Sequence, residues 1–130
     1  MMTDPIADLL TRIRNAQQAK HTEIQLPYSR LKYDLASLMQ RVGLVGAISK
    51  KDTNGRNELK ISLKYAMEEP VITGLKRISK PGQRIYSSYR DLSKITRGTG
   101  MLVISTSTGL CTDAEARKQK VGGEVICQIW

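Results

Sequence analysis

The sequence predicts an α+β protein: two small α/β domains packed together, the N-terminal one ordered α-β-α-β-β and the C-terminal one mainly β with one short helix. Three observations predict this. Apolar residues recur at helical spacing behind two helix starts, Asp4-Pro5 and Ser29. An Asn54-Gly55 turn is followed by alternation of apolar and polar residues through Tyr65. The run Met101-Leu102-Val103-Ile104 reads as a buried strand in a half otherwise rich in turn residues. A chain of 130 residues suits one compact domain or two small ones. Half of it alone would bury too little surface to be stable, so the halves are expected to pack on each other or on a partner.

Asp4 supplies a capping carboxylate and Pro5 the first helical position. Ile6, Leu9, Leu10 and Ile13 then form one apolar face, and the helix fades near Lys20. Ile24-Gln25-Leu26 is a short extended segment ended by Pro27. Ser29 caps a second helix whose stripe is Leu31, Leu35, Leu38, Met39 and Val42, with Gly43 as its stop. Leu44 to Lys51 is strand-like, and Asp52-Thr53-Asn54-Gly55 turns the chain into a second strand. There Leu59, Ile61, Leu63 and Tyr65 face the core, and Lys60, Ser62 and Lys64 face water. Met67-Glu68-Glu69-Pro70 is the expected boundary, giving domains 1–66 and 67–130. Val71 to Ser79 is expected as a strand weakened by Gly74, Lys80-Pro81-Gly82 as a turn, and Gln83 to Ser88 as extended chain. Asp91 to Lys94 makes a helical turn. Thr112 and Glu115 form a capping box for a short helix ending near Lys120. Gly122-Gly123 breaks the chain before a last strand, Val125 to Trp130.

The charge points to a polyanionic partner. The chain carries 21 Lys and Arg against 12 Asp and Glu, a net charge of +9. The excess is spread over both halves, 11 basic and 6 acidic residues in 1–66 and 10 and 6 in 67–130. It is therefore a folded basic surface and not a basic tail, which suits nucleic acid, can also attract an anionic membrane, or serves solubility alone. No apolar run is long enough for a membrane span. The opening Met1-Met2-Thr3-Asp4-Pro5 lacks the basic start and apolar stretch of a secretory signal. Cys111 and Cys127 make neither a disulfide framework nor a four-ligand zinc site, and read as buried thiols in a reducing compartment.

Enzyme chemistry finds little support. His21 is the one histidine, at a helix end. There is no phosphate-binding P-loop, no G-x-G-x-x-G pattern and no G-x-S-x-G elbow. The acidic residues show no metal-ligand spacing. No catalytic residue, metal or cofactor is expected.

Two segments stand out. Ser105-Thr106-Ser107-Thr108-Gly109 sets four hydroxyls in a row at a strand end. Such a row can contact phosphates, 2′-hydroxyls and base edges, or it can be a polar turn bonded to its own backbone. Gly122-Gly123-Glu124 lets backbone approach another surface closely, and its carboxylate can accept from base amino or imino groups. It reads equally as a helix stop with an exposed acid. Tyr86, between Arg84 and Arg90, can stack on a base or lie half-buried in a sheet. Arg12, Arg14, Asn15, Arg30 and Lys32 near the helix starts form a candidate phosphate-facing set, as do Lys50, Lys51, Arg56, Lys60 and Lys64 on the hairpin.

Asp4-Pro5-Ile6-Ala7-Asp8 leading to Thr11-Arg12-Ile13-Arg14-Asn15, Ser105-Thr106-Ser107-x-Gly109 leading to Thr112-Asp113-x-x-Ala116-Arg117, and Gly122-Gly123-Glu124 together resemble small-subunit ribosomal protein eight, of bacterial or organellar type. Lys80-Pro81-Gly82-x-Arg84-Ile85-Tyr86 and the closing aromatic match as well. The resemblance implies two α+β domains and no enzymatic activity. It implies a structural constituent of the small ribosomal subunit that binds early to the central domain of 16S-type ribosomal RNA and helps assemble the platform. The ribosome it implies is cytoplasmic or organellar, with neighbours among small-subunit proteins, numbers five and twelve. In some bacteria such a protein also represses its own operon by binding the messenger; an extra-ribosomal translational regulator is the alternative. The main RNA contacts that the resemblance carries over are Ser105, Thr106, Ser107, Gly122, Gly123 and Glu124, with Tyr86 nearby. Two positions depart from the family pattern: Thr108 stands where a basic residue is frequent, and Cys111 where a larger apolar residue is common.

Overall fold

A computed structural model of the chain describes residues 4–95 and 100–130. Met1 to Thr3, where a signal was read as missing, lie outside the described residues. The fold is α+β and divides into two compact units. One spans residues 5–72. The other spans 73–130 and includes Asp4.

The first unit runs α1 (Pro5–Gln18), β1 (Glu23–Pro27), α2 (Arg30–Arg41), β2 (Val45–Thr53) and β3 (Arg56–Leu63), the expected order. Its antiparallel sheet has the order β1-β3-β2. Alternation along β3 decides the buried face: Leu59 and Ile61 are sealed and Leu63 nearly so, and Leu26 and Ile24 stand opposite Leu59 and Ile61 on β1. Ile6, Leu9, Leu10 and Ile13 of α1 and Leu35, Ala36, Leu38 and Met39 of α2 complete this core. Asn54 and Gly55 both take positive φ, +53° and +78°, the pair of values a tight β2–β3 turn requires. Ser29 caps α2, its hydroxyl accepting from the Lys32 amide at 3.1 Å.

The α2 stripe differs from expectation. Leu31 and Val42 are exposed, and Lys32 is buried in their place. The reason is electrostatic. The Lys32 ammonium meets the Asp8 carboxylate at 2.8 Å and the Pro27 carbonyl at 3.4 Å, so the buried charge keeps partners. Arg12 reaches the other Asp8 oxygen at 3.0 Å. The Lys32 hydrogen bond, opposed by burial and reinforced by Arg12, holds the Asp8 carboxyl below its ordinary value.

Met67-Glu68-Glu69-Pro70 is itself part of a miniature hairpin. β4 (Tyr65–Ala66) pairs with β5 (Glu69–Pro70) across Met67 and Glu68, both at positive φ.

The second unit contains β6 (Leu75–Arg77), β7 (Tyr86–Ser87), α3 (Leu92–Ile95), β8 (Met101–Thr106), β9 (Gly109–Thr112), α4 (Asp113–Gln119) and β10 (Gly123–Ile129). The sheet order is β6-β10-β8-β9, and β7 also pairs with β10. The last strand of the chain is thus central. Leu92, Leu102, Ile104, Cys111, Ala116 and Val125 form the core. The capping box is present: the Thr112 amide donates to Glu115 Oε1 at 2.9 Å, and the Glu115 amide to Thr112 Oγ1 at 3.2 Å.

Several boundaries shift from expectation. Val71 to Ser79 contributes only Leu75–Arg77 to the sheet, because Thr73 and Gly74 bind the final residue instead: both amides donate to the Trp130 carbonyl. Gln83 to Ser88 contributes only Tyr86–Ser87. A strand unseen in the sequence, β9, follows the hydroxyl row, so Ser105 and Thr106 belong to β8 and the loop is only Ser107-Thr108. Gly123 and Glu124 lie within β10 and not in a break before it.

Asp8→Asn is expected to lower stability by about 1–2 kcal/mol, since it removes the charge facing a buried ammonium and only part of the pair is solvent-screened. Asp8 has a depressed carboxyl in the folded state. Its contribution is therefore complete above the ordinary carboxylate value and lost as pH falls through the folded one. Urea unfolding across the acid range should show a weaker acid limb in the variant than in the parent.

Candidate nucleic-acid interface

The hydroxyl row divides into two pairs of unlike use. Thr106 Oγ1 donates to the Gly109 carbonyl at 2.8 Å, accepts from the Thr108 amide at 3.2 Å and lies 3.1 Å from Thr108 Oγ1. These two residues are the turn chemistry. Ser105 is half-buried at the end of β8, and Ser107 is exposed at the loop tip. Among the described residues the Ser107 hydroxyl has no hydrogen-bond partner. Gly109 takes φ +122°, with open space where a Cβ would stand, so it serves conformation and not closeness.

Gly122 and Gly123 serve closeness. A Cβ on Gly123 would lie 2.0 Å from the Ser105 carbonyl oxygen, and one on Gly122 2.5 Å from that of Ser87. The surface that the two glycines approach is therefore the protein's own backbone, on β8 and on β7.

That approach sets Glu124 directly across from Tyr86 on β7 and from Ser105 on β8. Residues opposed in adjacent strands share a face, so Tyr86, Glu124 and Ser105 form one cross-strand row. Tyr86 is 69% exposed, so of its two readings the structure selects the open ring. Glu124 is neither solvated nor orphaned. Its Oε2 accepts from the hydroxyl of the fully buried Ser79 and from Arg84 at 3.0 Å. Ser79 in turn accepts from the Ile85 amide at 3.1 Å. Burial pushes the Glu124 carboxyl up. The hydrogen bonds from Ser79 and Arg84, with the charges of Arg84 and Arg77, outweigh it and leave the group below its ordinary value. The row thus offers an aromatic face, an ionised acceptor and a hydroxyl. Ser79 is not singled out by the sequence, and Arg84 only as a flank of Tyr86. Nothing in the local pattern pairs them with a carboxylate about 40 residues away; only the sheet does so.

In the first unit, Arg12, Arg14, Asn15 and Arg30 are all exposed on α1 and α2. Arg12 is tied to Asp8, and Arg30 lies 3.6 Å from Asp34. Lys32 stands apart from this set, buried against Asp8.

Residues 4–130 match the family model described as ribosomal protein S8. The chain is 49% identical to small ribosomal subunit protein uS8 of Natranaerobius thermophilus, covering 99% of this chain and 98% of that one. It is 46% identical to the uS8 of Nitratidesulfovibrio vulgaris over the whole of both chains. It is 50% identical to that of Caldanaerobacter subterraneus over 100% of this chain and 99% of that one.

The chain belongs to the ribosomal protein S8 family. It is a ribosomal protein of the small subunit, a structural constituent and not an enzyme. Both cysteines are buried and neither is in a disulfide, and burial pushes the Cys127 thiol up to about 12. No described helix is long and apolar enough to cross a membrane.

Gly123→Ala is expected to destabilise the protein by about 1–3 kcal/mol, because the methyl group meets a backbone carbonyl that belongs to a central strand pair and has nowhere to go. The change should appear as a lower urea midpoint. Gly109→Ala tests a different cost, the strained φ without a clash. Equal stability of Gly123→Ala and the parent would contradict the packing described for β10.

Proposed function

We propose that the chain binds small-subunit ribosomal RNA directly, at an irregular helical site in the central domain, and helps assemble the subunit platform. Tyr86, Ser105, Thr106, Ser107, Gly122, Gly123 and Glu124 form the site in this proposal, some by contact and some by shaping it. The observation that supports it best is the row Tyr86–Glu124–Ser105 with Ser107 at the adjacent loop tip. Irregular RNA exposes unstacked bases, 2′-hydroxyls and base edges. The open ring of Tyr86 suits stacking, the Glu124 carboxylate suits amino and imino donors, and Ser107 suits either a donor or an acceptor.

A lone carboxylate would be repelled by phosphates. Here Arg84 and Ser79 bind it from the protein side, which lowers that repulsion and fixes where the carboxylate points. Gly122 and Gly123 contribute by allowing the close strand approach, and Thr106 by shaping the turn that presents Ser107. Arg12, Arg14, Asn15 and Arg30 add phosphate contacts, which supply affinity with little sequence information. Lys32 contributes by holding Asp8 beside Arg12. Small-subunit proteins five and twelve are the neighbours that the family resemblance implies. The same surface serves repression of the chain's own operon wherever the messenger presents the same irregular shape.

Ser107→Ala and Tyr86→Ala are each expected to weaken binding to a central-domain RNA fragment by about 1–3 kcal/mol while stability stays near that of the parent. Arg14→Ala should instead weaken binding to the fragment and to an unrelated hairpin alike, and flatten the salt dependence. Binding measured across a salt series on both RNAs separates these effects. Unchanged affinity and unchanged discrimination in both Ser107→Ala and Tyr86→Ala would remove the row from the readout.

A further inference from the structure

The C-terminal unit carries a second feature on a different face. An open groove of about 800 Å³ lies at the rim of its core. Ile78 and Ile95, packed against that core, are among its walls, with Ile85 beside them. On β8, Glu124 stands opposite Ser105 and the groove's Gln128 opposite Leu102, three residues apart, so Gln128 and the Tyr86 row face opposite sides of the sheet.

Its charge is one-sided. Lys76, Arg77, Lys80 and Lys94 line it, and no acidic side chain does among the described residues. Two of the four cations are already committed. Arg77 is bound to Asp4 at 3.0 Å, and Lys94 to Asp91 at 3.2 Å. Lys76 and Lys80 are exposed, and among the described residues neither ammonium group has a partner.

The groove also holds the one tryptophan of the chain, Trp130, 44% exposed. Its position is held firmly. The Trp130 amide donates to the Gly74 carbonyl at 3.1 Å, and the Trp130 carbonyl accepts from Gly74 at 3.0 Å and Thr73 at 2.6 Å. The indole lies against Gly74 so closely that a Cβ there would meet the ring at 2.3 Å. A glycine is required at residue 74 for the ring to rest where it does, and the resting ring costs a ligand no reordering.

We infer that this groove is a second nucleic-acid site, taking one unpaired nucleotide with its base on Trp130 and flanking phosphates on Lys76 and Lys80. A fixed aromatic plane beside unpaired cations is the arrangement that single-stranded nucleic acid uses. An acidic peptide would satisfy the lysines but leave the indole without a flat partner. The inference shares with the proposed function the premise that RNA is the partner. It does not depend on the Tyr86 row.

Because Trp130 is the only tryptophan, its emission reports the groove directly. The full chain is titrated with a five-nucleotide oligoadenylate, and separately with a penta-glutamate peptide. The oligoadenylate should quench Trp130 saturably and the peptide should not. A Lys76→Ala, Lys80→Ala double variant should bind the oligoadenylate about tenfold more weakly. Its log–log salt slope should be shallower by about 1.4, for two phosphates on a single strand at ~0.7 each. Tyr86→Ala should leave the quench unchanged. No quench by the oligoadenylate, equal affinity in the double variant, or an equal quench by the peptide would each overturn the inference. The two readings fail separately. Loss of fragment binding in Tyr86→Ala without any Trp130 quench keeps the central-domain site and removes the groove. A Lys-dependent quench in a protein that does not discriminate the fragment keeps the groove and removes the central-domain site.

Discussion

The C-terminal unit depends on one steric fact: at Gly122 and Gly123 there is no Cβ. Backbone from β7 and β8 closes to within 2.0–2.5 Å of where those atoms would be. Any side chain at residue 123 would push β10 off the Ser105 carbonyl. The register that follows is what brings Tyr86, Glu124 and Ser105 abreast. It also carries the chain on to Ile129, opposite Leu75 and Met101, and to Trp130 over Gly74. Both candidate RNA surfaces of this unit hang on the placement of one strand.

Electrostatics in both units follows a common pattern. Acidic side chains are drawn into contact with specific cations, as in Asp8 with Lys32 and Arg12, Asp4 with Arg77, Glu124 with Arg84 and Asp113 with Arg117. With so many of its acids engaged, a chain of net charge +9 turns a largely cationic surface to its surroundings. Glu124 is the informative case. It keeps its charge because protein donors outweigh its burial, so an acid persists at a surface otherwise suited to phosphate. In the proposed RNA site, such an acid would favour base donors over backbone anions, a source of specificity more than of affinity.

Local physics was legible from residues alone. Helix starts at Pro5 and Ser29, the Asn54-Gly55 turn, the alternation along β3 and the Thr112–Glu115 box each involve neighbours within a few positions, so their spacing in the sequence is their geometry in space. The errors fell where distant partners decide. Lys32 entered the α2 stripe because Asp8, 24 residues earlier, receives its charge. Thr73 and Gly74 left the expected strand because the last residue claims their amides. β9 was hidden because a row of hydroxyls reads as loop until β8 is there to pair with it.

The candidate site shows the same division. The sequence by itself determined which chemistry is present: two adjacent glycines before an acid, a run of hydroxyls after an apolar strand, a tyrosine among arginines, and a basic surplus in both halves. Only the tertiary structure decided how that chemistry is used. It split the hydroxyls into turn bonds and an open Ser107, turned the Tyr86 ring outward, and bound Glu124 to Ser79 and Arg84. The physical reason is range. Propensity, capping and alternation act over a few residues and are written in order along the chain. The register of β10, and the partners it assigns, depend on contacts between segments some 20 to 45 residues apart, and those exist only once the sheet has closed.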